Sequence, residues 1–291
     1  MMTSCSLLKH SQVEAGAISH TGGLDWFPSK AENPLGTVVV VHGLNLKPSV
    51  MNLWIEVLNQ AGLHALRVTL AGHDDNPALK FSGSARAWLE NLAHACHTAQ
   101  ASYPAWPLFN LSFSLGALLS TVYADLHPGI FNRLVLLAPA IMPTRKLFFL
   151  RPMTWLRCFN ASLPSLGLRK YLRYPSTPFS AYHGLIVLSD QARKLKHARE
   201  LNQENTLLVL STSDTLIDLS RTKAWLRNNQ ITAWRMLEIT PQPKIKGSFN
   251  HMLLDPDGVG DRAWEILRQR VTQHLLRDVP FHPSSHDISS R

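Results

Sequence analysis

The chain has 291 residues, 45% of them hydrophobic and 17% charged, enough for one large globular unit with a sizeable buried core. Its longest apolar runs, residues 36–41 and 133–138, have strand length, far short of the roughly 18 residues a membrane span needs, and the opening MMTSCSLLKH lacks the basic and apolar regions of a secretory leader. The formal net charge of +9 is concentrated: residues 141–200 hold eleven Lys and Arg against Asp190 and Glu200, while the rest of the chain is balanced.

Beta-branched runs alternate with helix-length amphipathic stretches, the pattern of a mostly parallel sheet covered by helices on both faces. A strand is expected over Thr37–Val41, then a helix opened by Pro48, running through about Gln60 and stopped by Gly62. His64–Leu70 reads as a strand, Ser84–Gln100 as a helix, Trp106–Leu111 as a strand, Leu115–Leu126 as a helix and Arg133–Ala138 as a strand. After Pro139 the rhythm breaks. Residues 141–205 carry Pro143, Pro152, Pro164, Pro175 and Pro178 among aromatic and basic residues, and short helices are expected there rather than a sheet layer. Alternation resumes with a strand over Thr206–Leu210, a helix over Ser220–Asn228, a strand over Ile231–Glu238 and a last helix over Asp261–Leu276. The expected organisation is a core in two parts, residues 1–140 and 206–278, interrupted by a basic helical unit over 141–205 and followed by a flexible tail over 279–291. Cys5, Cys96 and Cys158 are odd in number and widely separated, which fits a reducing, cytoplasmic compartment without structural disulfides.

The run Phe109-Asn110-Leu111-Ser112-Phe113-Ser114-Leu115-Gly116 joins an apolar strand to a helix through a small-x-Ser-x-Gly turn. A nucleophile on such a bend has strained backbone angles, so its neighbours two positions away must be small. Ser112 and Gly116 meet that need, although Ser112 stands where Gly is usual. By itself the match also suits an ordinary serine in a strand-turn-helix connection.

Nucleophilic catalysis by serine needs a base, an acid that orients the base, and donors for the developing oxyanion, all at the carboxyl ends of strands in this kind of sheet. Leu207–Leu210 runs into Ser211-Thr212-Ser213-Asp214, so Asp214 is the first candidate acid, with Asp218 the alternative. Of fourteen histidines, His251 stands after the last expected strand, where a loop can hang an imidazole over the sheet edge. His42, at a strand end beside Gly43, comes before the nucleophile and reads as part of an oxyanion loop. His73 reads as a turn stabiliser, and His94 and His97 share a helix face without further ligands, so neither a metal nor a cofactor is expected. The order Ser114, Asp214, His251 is that of the α/β-hydrolase arrangement, and the basic unit falls between nucleophile and acid, where a lid belongs.

Val38-Val39-Val40-Val41-His42-Gly43-Leu44-Asn45, Leu70-Ala71-Gly72-His73, Ser112-Phe113-Ser114-Leu115-Gly116, Ser213-Asp214 and His251 together resemble the α/β-hydrolase superfamily, specifically its capped esterases and monoacylglycerol-lipase-like members. The resemblance covers residues 36–277 and implies an α/β-hydrolase fold with a helical cap inserted before the strand that carries the acid. It further implies Ser114 as nucleophile, His251 as base, Asp214 as orienting acid, and the backbone N–H groups of Leu44 and Leu115 as oxyanion donors. The implied activity is hydrolysis of carboxylic esters with an apolar acyl chain, such as monoacylglycerols or lysophospholipids, without a cofactor. The same triad would also serve a thioesterase, an amidase or a carbon–carbon bond hydrolase, and the fold also occurs as a ligand-binding module.

In the cap, residues 143–157 interleave Phe148, Phe149 and Trp155 with Arg145, Lys146, Arg151 and Arg157. Two expectations follow: an apolar face that contacts substrate over the active site, and a peripheral contact with anionic membrane. Nucleic acid is not expected as a partner, because no binding motif accompanies the charge.

Overall fold

Four consecutive valines in Thr37–Val41 need apolar surroundings on both sides of the chain, and they have them: the strand is buried along its whole length in the middle of a seven-stranded sheet. The computed structural model describes residues 23–73, 83–145, 151–159, 161–165, 167–203, 205–244 and 249–277. Its sheet contains β1 (Leu24–Phe27), β2 (Thr37–Val41), β3 (His64–Val68), β4 (Leu108–Phe113), β5 (Arg133–Leu137), β8 (Thr206–Ser211) and β9 (Arg235–Ile239). The spatial order is β1-β3-β2-β4-β5-β8-β9, with only β1 antiparallel to its neighbour. This is the mostly parallel, helix-covered sheet of an α/β-hydrolase fold.

The two faces of the sheet bury separate apolar clusters. Val39 and Val41 point toward α2 (Ala85–Ser102) and α3 (Leu115–Leu126), where Trp88, Leu92 and Leu118 pack. Val38 and Val40 point toward α1 (Asn52–Gln60) and α8 (Asp261–Leu275), where Trp54, Leu58, Trp264 and Leu267 pack. Helix α2 begins where Ser84 accepts the Ala87 amide, and α6 (Leu219–Asn228) where Asp218 accepts that of Arg221.

Several boundaries differ from the sequence expectations. Strand β4 starts two residues late, at Leu108, because Pro107 has no N–H for the ladder, and it continues through Phe113 directly into Ser114. Strand β9 starts at Arg235 instead of Ile231, and a 3-10 turn over Pro48–Met51 precedes α1. The edge strand β1 has no counterpart in the expectations, since Leu24-Asp25-Trp26-Phe27 carries neither a beta-branched run nor strict alternation.

The segment between β5 and β8 is not built of short helices alone. A 3-10 stretch over Pro152–Phe159 is followed by an antiparallel ribbon of β6 (Ser162–Pro164) and β7 (Ser176–Pro178). The ribbon leads into the 15-residue helix α4 (Phe179–Arg193) and the short α5 (Ala198–Leu201). Helix α4 buries Ala181, Leu185, Leu188 and Ala192 in the cluster that holds α2 and α3, and Ser189 Oγ donates to the Ile141 carbonyl at 2.8 Å. Pro178 rigidifies the entry to α4, where a proline is tolerated, which is how a proline-rich segment still supports four turns of helix. Of the final stretch, α7 (Pro256–Val259) and α8 complete the described chain.

Candidate active site

Ser114 sits between β4 and α3 at φ 52° and ψ −110°, a backbone conformation that costs on the order of 1–3 kcal/mol outside glycine. The surrounding bonds hold it there: its N–H donates to Leu137 O at 2.9 Å, and its carbonyl accepts from Leu118 N at 3.0 Å and Ala140 N at 3.1 Å. Gly116 is small because it must be. A Cβ at that position would lie 2.6 Å from His42 O and 2.7 Å from Val41 O, both backbone atoms that cannot move aside. The less usual Ser112 is fully buried on β4, and its hydroxyl reaches the Val135 carbonyl at 3.4 Å, so the hydroxyl has a partner on the neighbouring strand.

Three remote loops converge at this point. Ser114 Oγ lies 2.9 Å from His251 Nε2, and His251 Nδ1 lies 2.7 Å from Asp214 Oδ2. The His251 and Asp214 side chains are 4% and 3% exposed, so the row is shielded from bulk water. Asp214 is pinned from its other oxygen, Oδ1, which accepts from Leu216 N at 2.7 Å and Ile217 N at 3.0 Å. With the carboxylate accepting, Nδ1 carries the imidazole proton and Nε2 is left to accept from the serine hydroxyl. Asp218, the alternative acid, instead caps α6 through its bond to Arg221 N at 2.9 Å.

The His251 loop is tied to the Asp214 loop by the Phe249 carbonyl, which accepts from Thr215 N at 3.2 Å and Thr215 Oγ1 at 3.1 Å. Phe249 and Asn250 both have positive φ, 54° and 51°. Of the six described non-glycine residues with positive φ, five (Asn45, Ser114, Ala138, Phe249 and Asn250) lie at this end of the sheet, so backbone strain is concentrated around the serine.

The loop after β2 carries Leu44, whose backbone is placed by two buried histidines. His42 Nδ1 donates to Gly43 O at 2.8 Å, and its Nε2 accepts from Leu70 N at 3.2 Å. His73 Nε2 accepts the Asn45 N–H at 2.8 Å, across 28 residues, and the two rings meet edge to face at 4.7 Å. Accepting from amides requires both rings to be neutral. Burial pushes the His42 pKa down to about 4, and burial, followed by the neighbouring His42, holds that of His73 well below its ordinary value. The turn reading of His73 was therefore incomplete: it fixes the start of the loop that holds Leu44. Loop 70–73 is in turn held by α2, with Asn91 Oδ1 accepting from Ala71 N at 2.7 Å and Trp88 Nε1 donating to Ala71 O at 3.0 Å. Leu115 is the first residue of α3, where an amide has no partner within its own helix.

A cavity of about 100 Å³ opens over Ser114 and His251. Leu44, Leu172, Leu185, Leu216 and Met252 give it an apolar wall, and Asn45, Ser165, Thr177 and Tyr182 give it one polar end. Trp155 does not line it. That side chain is 59% exposed and packs edge to face with Phe159 at 5.6 Å, so of the three expected substrate-contacting aromatics it faces outward, while Phe148 and Phe149 lie outside the described residues. The cap residues that reach the cavity are instead Leu172, Tyr182 and Leu185 among others, and their only sequence signal was an apolar residue in a basic segment.

The family model for Hydrolase_4, described as serine aminopeptidase, S33, matches residues 32–180. Among solved structures, one from work on LipS and LipT, two metagenome-derived lipolytic enzymes, is 22% identical with a TM-score of 0.68, over 87% of this chain and 96% of that one. A soluble variant of monoglyceride lipase from Saccharomyces cerevisiae, in complex with a substrate analog, is 15% identical with a TM-score of 0.68, over 87% and 92%. Paleococcus ferrophilus monoacylglycerol lipase is 18% identical with a TM-score of 0.65, over 87% and 99%. No curated protein matches the sequence.

Proposed function

The chain belongs to the serine aminopeptidase S33 family of α/β hydrolases, and from that premise we propose that it is a serine hydrolase that cleaves carboxylic esters with an apolar acyl chain. The observation that carries this reading is the unbroken row from Asp214 through His251 to Ser114, with contacts of 2.7 and 2.9 Å, opening on an apolar cavity. An aminopeptidase would need an anionic group to receive the substrate's free ammonium. Among the described residues that line the cavity, none carries a carboxylate, which favours an uncharged ester such as a monoacylglycerol, or one whose charge stays outside, as in a lysophospholipid.

In the proposed reaction the Ser114 hydroxyl gives its proton to His251 Nε2 as Oγ attacks the acyl carbonyl. Asp214 stabilises the imidazolium that forms. The N–H groups of Leu44 and Leu115 donate to the oxyanion, where one such donor lowers the barrier by on the order of 3 kcal/mol. His251 then protonates the departing alcohol, and the acyl-enzyme is hydrolysed by a water that gives its proton to the same nitrogen. The cavity is smaller than the roughly 300–1,000 Å³ of pockets that enclose drug-sized ligands, so a long acyl chain would require the cap above Leu172 and Tyr182 to shift.

A peripheral contact with anionic lipid is the second part of the proposal, and its support is specific. Met153, Trp155 and Phe159 are 39%, 59% and 70% exposed along one 3-10 stretch that also carries Arg157, beside Arg151. Exposed aromatics next to cations suit the boundary between headgroups and acyl chains.

A nitrophenyl-ester series of increasing acyl length, run on wild type and Ser114→Ala, tests the activity. Turnover that disappears in the variant is expected; equal rates, or no turnover at any length, would contradict it.

A further inference from the structure

Asn45 follows Leu44 in the loop after β2, and although polar it is only 2% exposed. It is bonded to the cap. Its Nδ2 lies 2.6 Å from Ser165 Oγ, 2.9 Å from Tyr174 O and 3.0 Å from Thr177 Oγ1, and its Oδ1 accepts from Tyr174 N at 3.0 Å. Thr177 lies in β7, Ser165 directly follows β6 with its N–H donating to Pro175 O at 2.8 Å, and the two hydroxyls bond to each other at 3.0 Å. One amide side chain thus closes the base of a ribbon that lies 120 to 132 residues away in sequence.

The main chain of the same loop is attached on both sides. The Asn45 carbonyl accepts from Arg173 N at 2.9 Å, Lys47 N donates to Tyr171 O at 3.0 Å, and Leu46 bridges Leu172. Against the core, the Asn45 amide donates to His73 Nε2 at 2.8 Å. The residue holds a left-handed conformation, φ 52°, which asparagine tolerates better than most side chains. So Asn45, one residue after the Leu44 N–H, is suspended between a fixed point in the core and a ribbon that continues into α4, from which Tyr182 and Leu185 reach the cavity.

Resting on the hydrolase reading above, we propose that Asn45 is a positioning residue that couples the seating of the cap ribbon to the alignment of the Leu44 amide. A substrate that presses Leu172, Tyr182 and Leu185 into place seats the ribbon, the ribbon orients Asn45, and the oxyanion donor comes into line. A ribbon out of place leaves the triad intact but its transition state under-stabilised.

The test compares wild type, Asn45→Gly, the cap-side pair Ser165→Ala/Thr177→Val, and all three changes together, on nitrophenyl butyrate and a fluorophosphonate probe. Glycine accepts the backbone angle, and the cap-side pair cuts two of the four side-chain bonds, those to Ser165 and Thr177, without touching the loop. Since a donor is misaligned and not removed, kcat should fall by about tenfold in Asn45→Gly, with KM changed by less than about threefold. Labelling should slow by the same factor, because the probe's phosphoryl oxygen uses the same donor. The cap-side pair should lower kcat in the same sense, and the triple variant should be no slower than Asn45→Gly, because the link is already cut. Active wild type with Asn45→Gly within about twofold of it, or losses that multiply in the triple variant, would overturn the proposal. Wild type that neither turns over nor labels would instead remove the hydrolase reading, and this inference with it.

Discussion

Below the cavity, the loops carrying Ser114 and Asp214 leave strands β4 and β8, whose residues are buried on both faces and which pair in register with their neighbours. Above it, the ribbon is held by polar bonds centred on Asn45, and the 3-10 stretch beyond exposes Trp155 and Phe159 to solvent. Apolar burial of the first kind is worth roughly 25 cal/mol per Å² and yields only when the fold does. Hydrogen bonds of the second kind contribute roughly 1 kcal/mol each net of water, so they can break and reform one element at a time. The floor therefore fixes reacting atoms, and the roof is the part able to move for a substrate.

The comparison can be broken most sharply at the floor. Ser114→Ala should lower turnover by about 10⁵-fold or more while leaving the melting temperature near that of wild type, since it removes one oxygen at the cavity wall; kinetics paired with calorimetry check both halves. Gly116→Val should fail in the opposite way. Its Cβ would meet the His42 and Val41 carbonyls, and a loss of about 3 kcal/mol in urea denaturation is expected, with activity falling only through the folded fraction where the turn at Ser114 keeps its conformation.

Acid should act on the floor as well. His42 is neutral when folded, with a pKa near 4 against 6.5 for the free side chain, so its share of stability is complete above pH 6.5 and lost as the pH falls toward 4. The difference corresponds to on the order of 3 kcal/mol for this fully buried ring. His274, also lowered to about 4 by burial, acts in the same window. Denaturation at pH 7, 5.5 and 4 should show this loss in wild type and a shallower one in His42→Gln, whose amide can both donate and accept.

The smallest effects belong to the roof. Trp155→Ser with Phe159→Ser should change stability by less than about 0.5 kcal/mol and leave soluble-ester hydrolysis intact, because both side chains are exposed. Co-sedimentation with anionic vesicles should nevertheless fall. Unchanged sedimentation, or binding insensitive to salt, would remove the lipid contact.

The same division governs what could be read from the residues alone. Ser114 and Asp214 each follow an apolar run that ends in a turn, and His251 lies in the loop after the last strand, so chain order alone points to these three residues. The start of β4 differs from the sequence pattern by two residues because Trp106 is apolar like a strand residue while Pro107 cannot join the ladder. Edge strand β1 has no signal of its own in the sequence, since its pairing with β3 comes from the partner and not from its own pattern. In the cap, composition revealed the basic charge and the broken rhythm, but the ribbon depends on bonds from Asn45 across more than a hundred residues, and no local pattern encodes such a contact. His73 was placed in its turn correctly, yet its reach to the Asn45 amide depends on the same long-range closure.

The central claim is that Ser114 is a nucleophile activated by His251 and Asp214. Intact-mass analysis after exposure to a fluorophosphonate tests it directly: wild type should gain a single phosphonyl adduct that maps to Ser114, with Ser114→Ala unmodified and Asp214→Asn strongly slowed. Folded wild type that stays unmodified, or an adduct that persists in Ser114→Ala, would contradict it.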